Sequence, residues 1–400
     1  EIYTLSLHDA LPIFVEVEIA GNSTVKISNS RAEAKSGGGF NTGKGLKVST
    51  GSRLIIWNVT AGNNGGGFNA LGDVEIAGNS TVKISNSRAE AKNGGGFDTE
   101  KGLKVSNVKV SNGSRLIIRN AAAGKYGGGF YATGKTTISR STVSIQNATA
   151  KHYGGGFCAV DEVVIDEMSS VSISTSRSRF GGGFHTDRRL QVTNSSAVSL
   201  QNVIAQKYGG GFNAIEEVEI AGNSTVKISN SRAEAKNGVG FNTEKGLKVS
   251  NGSRLIIRNA AAGNYGGGFY AKGKTLISRS TINIQNATAR QLGGGFSAEG
   301  VAVIQDSTVA MFSTDAGADG GAFSVFGLTL HRSQLSVSHS TAAGSGSGGR
   351  ADGQVLLSSE SNLVVKDAQG LDNSSVLTAA CLHLHDRSHI RSEEHTSELQ

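Results

Sequence analysis

One proline, two cysteines and one tryptophan occur in the 400 residues, and aromatic side chains make up only 6%. Cys158 and Cys381 stand far apart, so no disulfide framework holds the chain, and the redox compartment is left open. No run of eighteen apolar residues occurs, which excludes a membrane-spanning helix in this stretch. Nor does the repeated part sustain helical 3.6-residue spacing over ten residues. The single proline, Pro12, lies in an N-terminal segment, 1–13, that shares nothing with the rest. Segments 1–13 and 391–400 read as in-frame translations of sequencing-library adapters, which sets them aside from fold reasoning. Each carries a net charge of −2, so the formal +7 of the whole becomes +11 for what lies between them.

What is abundant is glycine, 56 residues, most of it in one motif. The string Gly-Gly-Gly-Phe, or a close variant, ends at Phe40, Phe68, Phe97, Phe130, Phe157, Phe184, Phe212, Phe241, Phe269, Phe296 and Phe323. Successive steps are 27 to 29 residues, with one step of 33. A fixed period of this size is the mark of a solenoid, in which each repeat stacks on the next. Strict periodicity with interleaved Val, Ile and Leu also argues against the disorder that glycine richness would otherwise suggest.

Within one repeat, Phe130 to Phe157, apolar and polar residues alternate in three short runs: Phe130-x-Ala132, Thr136-x-Ile138 and Val143-x-Ile145-x-Asn147. Period two means strands with one buried face. Three strands and three turns in 27 to 29 residues make one coil of a parallel β-helix. The expected architecture is all-β, a right-handed parallel β-helix of about 12 coils over 14–370, with a degenerate last coil or tail over 371–390.

The third run recurs most regularly, as Val25/Ile27/Asn29, Leu54/Ile56/Asn58, Val143/Ile145/Asn147 and Leu255/Ile257/Asn259, down to Val309/Met311/Ser313. Alternation predicts all three members inside, with Phe on Phe as an aromatic column and Asn on Asn as a buried amide ladder. On that reading the sequons at Asn58, Asn147 and Asn286 are buried, while those at Asn22, Asn79, Asn112, Asn194, Asn223, Asn251 and Asn373 lie in or near turns. The step of 33 holds an extra VKVSN at 108–112, expected to loop out between Val105 and Leu116. After Phe323 the pattern is expected to decay, with Gly348-Gly349-Arg350 in the motif position and Leu363/Val365/Asp367 in place of the triplet.

This unit resembles the right-handed parallel β-helix proteins of the pectate-lyase-like superfamily. Within them it is similar to the polymorphic outer-membrane-protein repeat of autotransporter passengers, with GGA-[ILV] and FxxN motifs. Gly320-Gly321-Ala322-Phe323 is nearest to the first motif. The second departs, since apolar residues stand two and four before the Asn rather than three. The resemblance implies a surface-exposed, adhesive module, extracellular or at a cell surface. It equally implies an alternative, a polysaccharide lyase or glycoside hydrolase using acidic residues on one face.

The densest acids, Asp161-Glu162 and Asp166-Glu167, share strand positions with Glu18, Glu75 and Glu219, which marks them as repeat decoration rather than a catalytic pair. Neither Asp98 beside its glycines nor His383, His385, Asp386 and His389 makes a convincing metal motif, and no cofactor is expected. The best binding candidate is the corner before the motif. Lys125, Lys151, Arg179 and Lys207 stand there in successive coils, followed by Tyr126, Tyr153, Phe180 and Tyr208. A basic column with interleaved aromatic faces suits an extended anionic chain, with acidic polysaccharide the expected partner. No base-reading motif points to a specific nucleic acid.

Overall fold

The computed structural model describes residues 2–6, 11–13, 16–33, 35–99, 108–370 and 375–393. These contain no helix, hence none that could cross a membrane. Two compact units make up the chain, one of 1–205 with 211–215 and the other of 206–210 with 216–400. Each is a parallel β-solenoid, and together they hold about 13 turns of about three strands each, against the 12 expected.

The coil read from sequence is present as strands Phe130–Ala132, Thr136–Ser139 and Thr142–Ala150. Each pairs in parallel with its counterpart one repeat later: Phe130 with Phe157, Thr136 with Val163 and Thr142 with Ser170. The inward residues are sealed, with Phe130, Ile138 and Val143 all at 0% exposure. In the first unit, the rings from Phe40 to Phe212 form one column, with centroids 4.8 to 5.2 Å apart and planes within 10°. The second unit has its own column from Phe241 to Phe323. Near-parallel planes at this separation are offset-stacked.

The glycines before each Phe answer to space. A Cβ on Gly128 would lie 2.1 Å from the Gly155 carbonyl oxygen of the next coil, and one on Gly129 would lie 2.5 Å from that of Gly156. The missing side chains ease the approach of the coils to hydrogen-bonding distance at most of these corners, while Val239 and Ala322 take the equivalent positions, buried, in two coils of the second unit.

One further ladder emerges only with the fold. A serine stands two residues before every third-strand triplet, and in most coils its backbone N–H donates to the serine hydroxyl of the following coil. In the first unit the bonds run Ser80 to Ser114, Ser141, Ser169 and Ser196 at 3.2 to 3.3 Å. In the second they run Ser280 to Ser307, Ser333, Ser361 and Ser388 at 3.1 to 3.2 Å. The hydroxyl satisfies a buried donor that the sheet ladder leaves open at the bend.

The asparagine ladder exists, but on the outside. Asn86 donates to Asn58 at 3.0 Å, Asn120 to Asn86 at 2.8 Å and Asn147 to Asn120 at 2.9 Å, all exposed. The cause is backbone conformation. Asn58, Asn86, Asn120 and Asn147 have φ between 50° and 53°, the left-handed region. One such residue reverses the alternation, so Ile145 and Ala148 both point inward while Asn147 between them points out. Asn tolerates this conformation better than other residues with a Cβ. The sequons at Asn58, Asn147 and Asn286 are therefore exposed, not buried; Asn373 lies outside the described residues.

One further expectation changes. The 108–112 segment does not loop out: Val108–Ser111 is a strand, pairing Val108 with Val74 and with Thr136. The near-copies LKVSN and VKVSN satisfy the same inward pattern, and the second occupies the register; 100–107 lie outside the described residues. After Phe323 the motif degenerates as expected, and the winding continues through it. Leu335 and Val337 take the column after Val309 and Met311, and Leu363 and Val365 follow. Gly349 sits opposite Phe323 and ends the ring column. A Cβ there would lie 2.1 Å from the Phe323 ring. Strand pairing also extends into the two end segments, with Ile2–Ser6 beside Thr24–Ser28 and His389–Glu393 beside Asn362–Lys366.

The left-handed ladder generates a test. Asn120→Ala forces a Cβ without local hydrogen bonding into the left-handed region, about 1–2 kcal/mol, and removes ladder bonds of about 1 kcal/mol each. Asn120→Gly loses the bonds but not the conformation. Denaturant unfolding should rank wild type above Gly above Ala; Ala equal to wild type would contradict the assignment.

Candidate functional site

The corner before each Gly-Gly-Gly-Phe closes the coil. In the first unit it draws Tyr126, Tyr153 and Phe180 into one bridge-paired column. Their ring centroids are 5.3 Å apart for Tyr126–Tyr153 and 4.8 Å apart for Tyr153–Phe180, the latter pair nearly parallel at 17°. The Arg179 guanidinium lies 5.5 Å from the Phe180 centroid. Lys125 and Lys151 are exposed, and neither they nor Arg179 has a carboxylate partner among the described residues. Their charges converge on His152, whose imidazole is pushed below its ordinary pKa by burial and then by Lys151, Arg179 and Lys125. At neutral pH the corner holds three fixed cations around a neutral ring.

Of the eight residues expected at this corner, six gather here: Lys125, Tyr126, Lys151, Tyr153, Arg179 and Phe180. Lys207 and Tyr208 belong to the second unit. There Lys236 donates to the Tyr208 hydroxyl at 2.9 Å, and its ammonium lies 5.1 Å from the ring centroid.

Sequence reasoning missed the layer under the corner. The residue after the motif Phe faces outward by alternation, yet from Asn69 onward it is buried because the corner folds over it. In the first unit this column reads Asp98, Tyr131, Cys158, His185, Asn213, each in register with the next. Tyr131 packs under Tyr126 at 5.8 Å and His185 against Tyr153 at 4.6 Å. The Asn213 amide nitrogen meets His185 Nδ1 at 3.0 Å, so Nε2 carries the proton and donates to Asp187 at 2.7 Å. Both ring nitrogens are engaged, and the imidazole serves as a fixed floor for Tyr153. The Cys158 thiol is pushed well above its ordinary pKa by burial and then by the charges of Asp187 and Asp98. It stays protonated and is no nucleophile. The signal available in sequence was the chemical variety of the middle position of Phe-x-Ala.

The second unit repeats the arrangement with Tyr265 over Tyr270 at 6.2 Å. Burial and its hydrogen bond to Glu299 push the Tyr270 hydroxyl far above the ordinary phenol range.

The acidic cluster is tied into pairs between coils. Asp161 faces Arg188 at 3.9 Å, Glu167 faces Arg140 at 3.1 Å, and Asp166 accepts from Thr193 and Asn194. Glu162 binds Lys135 at 3.1 Å and also Arg189. Glu18 and Glu75 likewise pair with Lys47 and Lys109, and Glu219 with Lys248. Asp98 is fully buried between Asn69 and Tyr131 in its ladder. His383 stacks on His385 at 6.4 Å and contacts Cys381 at 3.1 Å. No group of three His, Cys, Asp or Glu among the described residues is placed to hold a metal.

No family model, no curated protein and no solved structure matches the chain.

Glu162 generates a test of the pairing. Burial alone would raise its pKa, but hydrogen bonds from Lys135 and Arg189 outweigh this and hold it below the ordinary value of 4.5. A depressed carboxylate stabilises the fold above its unfolded pKa and ceases to do so as pH falls through the folded value. Glu162→Gln should therefore lower stability at pH 7, and the deficit should shrink as pH falls below about 4.5. A deficit independent of pH would contradict the ion-pair role.

Proposed function

We propose that the chain is a non-catalytic, adhesive β-solenoid module of a cell surface, which holds acidic polysaccharide along the 125–180 corner. The observation that carries this reading is the set of unpaired cations Lys125, Lys151 and Arg179 around His152, beside the continuous Tyr126–Tyr153–Phe180 column. An acidic polysaccharide offers carboxylate or sulfate groups to the cations and apolar sugar faces to the rings. A column running from coil to coil suits a linear polymer, because one strand of it can lie along the whole ridge. The sequence resemblance to autotransporter passenger repeats is the part that points to an adhesive module.

A lyase or hydrolase on this scaffold would need carboxylates free to act on substrate. Asp161, Glu162, Asp166 and Glu167 are instead engaged by cations and side-chain donors of neighbouring coils. That favours binding over cleavage.

The test is retention of the chain on immobilised polygalacturonate, with reducing ends assayed in parallel. Retention should weaken with salt, through screening of exposed charges. Replacing Lys125, Lys151 and Arg179 together by Gln should weaken it roughly 10-fold, from about 0.5 kcal/mol per exposed ion pair. Unchanged retention would remove the corner from the account. New reducing ends that disappear in Asp161→Ala would overturn the non-catalytic part.

A further inference from the structure

A second cationic surface lies apart from the corner, on the outward face of the third strands of the first unit. In register, Thr24, Arg53, Thr81 and Arg115 form one column, and Lys26, Ile55, Lys83 and Ile117 the next. Ser28, Trp57, Ser85 and Arg119 form the third. No Asp or Glu occupies an outward position of these strands, nor of Thr142–Gln146 after them. None of Lys26, Arg53, Lys83, Arg115 and Arg119 is ion-paired among the described residues. This is unusual for a chain in which the second-strand lysines Lys47 and Lys109 each face a glutamate. The second unit by itself repeats the pattern with Lys227, Arg254 and Arg258.

The layout distinguishes this face from the corner. Within a column the cations alternate with neutral residues, so like charges stand two coils apart, about 10 Å. Neither a column nor a strand offers an unbroken cationic track for one polymer chain. A planar array of anions, by contrast, meets all five cations at once. Between them lie Ile55, Ile117 and the half-buried Trp57, a side chain suited to the headgroup level of a bilayer. We infer that this face docks on an anionic lipid surface, with Trp57 at the interface and the five cations against headgroup phosphates and carboxylates.

Trp57 is the only tryptophan in the chain, so its fluorescence reports this face directly. The probe is a vesicle of phosphatidylcholine with one-third phosphatidylserine, compared with phosphatidylcholine alone. With the anionic vesicles, Trp57 emission should shift to the blue and the chain should co-sediment, both reversed by high salt. Arg115→Gln with Arg119→Gln should weaken binding about 25-fold, from about 1 kcal/mol per residue. Replacing Lys125, Lys151 and Arg179 by Gln should leave vesicle binding unchanged, which keeps this face distinct from the corner. Absence of a Trp57 shift with anionic vesicles would overturn the inference, as would full binding by the double variant. A shift produced by soluble polygalacturonate but not by vesicles would also overturn it, making the face a polymer site instead.

Discussion

Backbone pairing between successive coils governs everything else in this chain. Parallel strands sit about 4.8 Å apart, and a repeat of nearly constant length brings the same residue type to the same place at that interval. Each column must then be a chemistry that tolerates its own image. Phenylalanine rings stack offset, asparagine amides pass a hydrogen bond along, and serine hydroxyls accept from the coil before. Glycine meets glycine at most corners, where a Cβ would crowd the carbonyl of the next coil.

Charge is the chemistry that does not tolerate its own image. Two like charges about 5 Å apart repel by roughly 0.8 kcal/mol even in water. The second-strand face resolves this by alternation, Glu18 against Lys47 and Glu75 against Lys109. The third-strand face resolves it by spacing its cations two coils apart. Among the described residues, the corner places Lys125, Lys151 and Arg179 in consecutive coils without acids to relieve them, and they add to the burial that depresses His152. A repeat protein that solves the problem elsewhere and leaves it unsolved here has a surface whose electrostatic strain an anionic ligand would relieve.

Much of the architecture is legible in the sequence, because the motif Phe and the alternating Val/Ile positions carry period and burial together. The places where that reading fails share one cause: conformation or covering that alternation alone does not encode. Uninterrupted alternation puts Asn147 inside, whereas its left-handed backbone turns it out. The segment 108–112 reads as an insert because two near-identical pentapeptides compete for one register, and either satisfies the hydrophobic pattern. The column Tyr131, Cys158 and His185 looks exposed in sequence because the corner that covers it comes from the preceding turn of chain. Composition suffices to find the corner itself, but its grouping into six residues of one unit, with His152 at the centre, needs geometry.

The direct measurement is the coupling between rings one and two coils apart. In a double-mutant cycle, Phe130→Leu and Phe157→Leu should be coupled by about 0.5–1.5 kcal/mol, because the rings touch. Phe130→Leu and Phe184→Leu, separated by a coil, should be additive within about 0.5 kcal/mol. Additivity in the first pair, or equal coupling in both, would contradict a fold built on like residues stacked at the strand spacing.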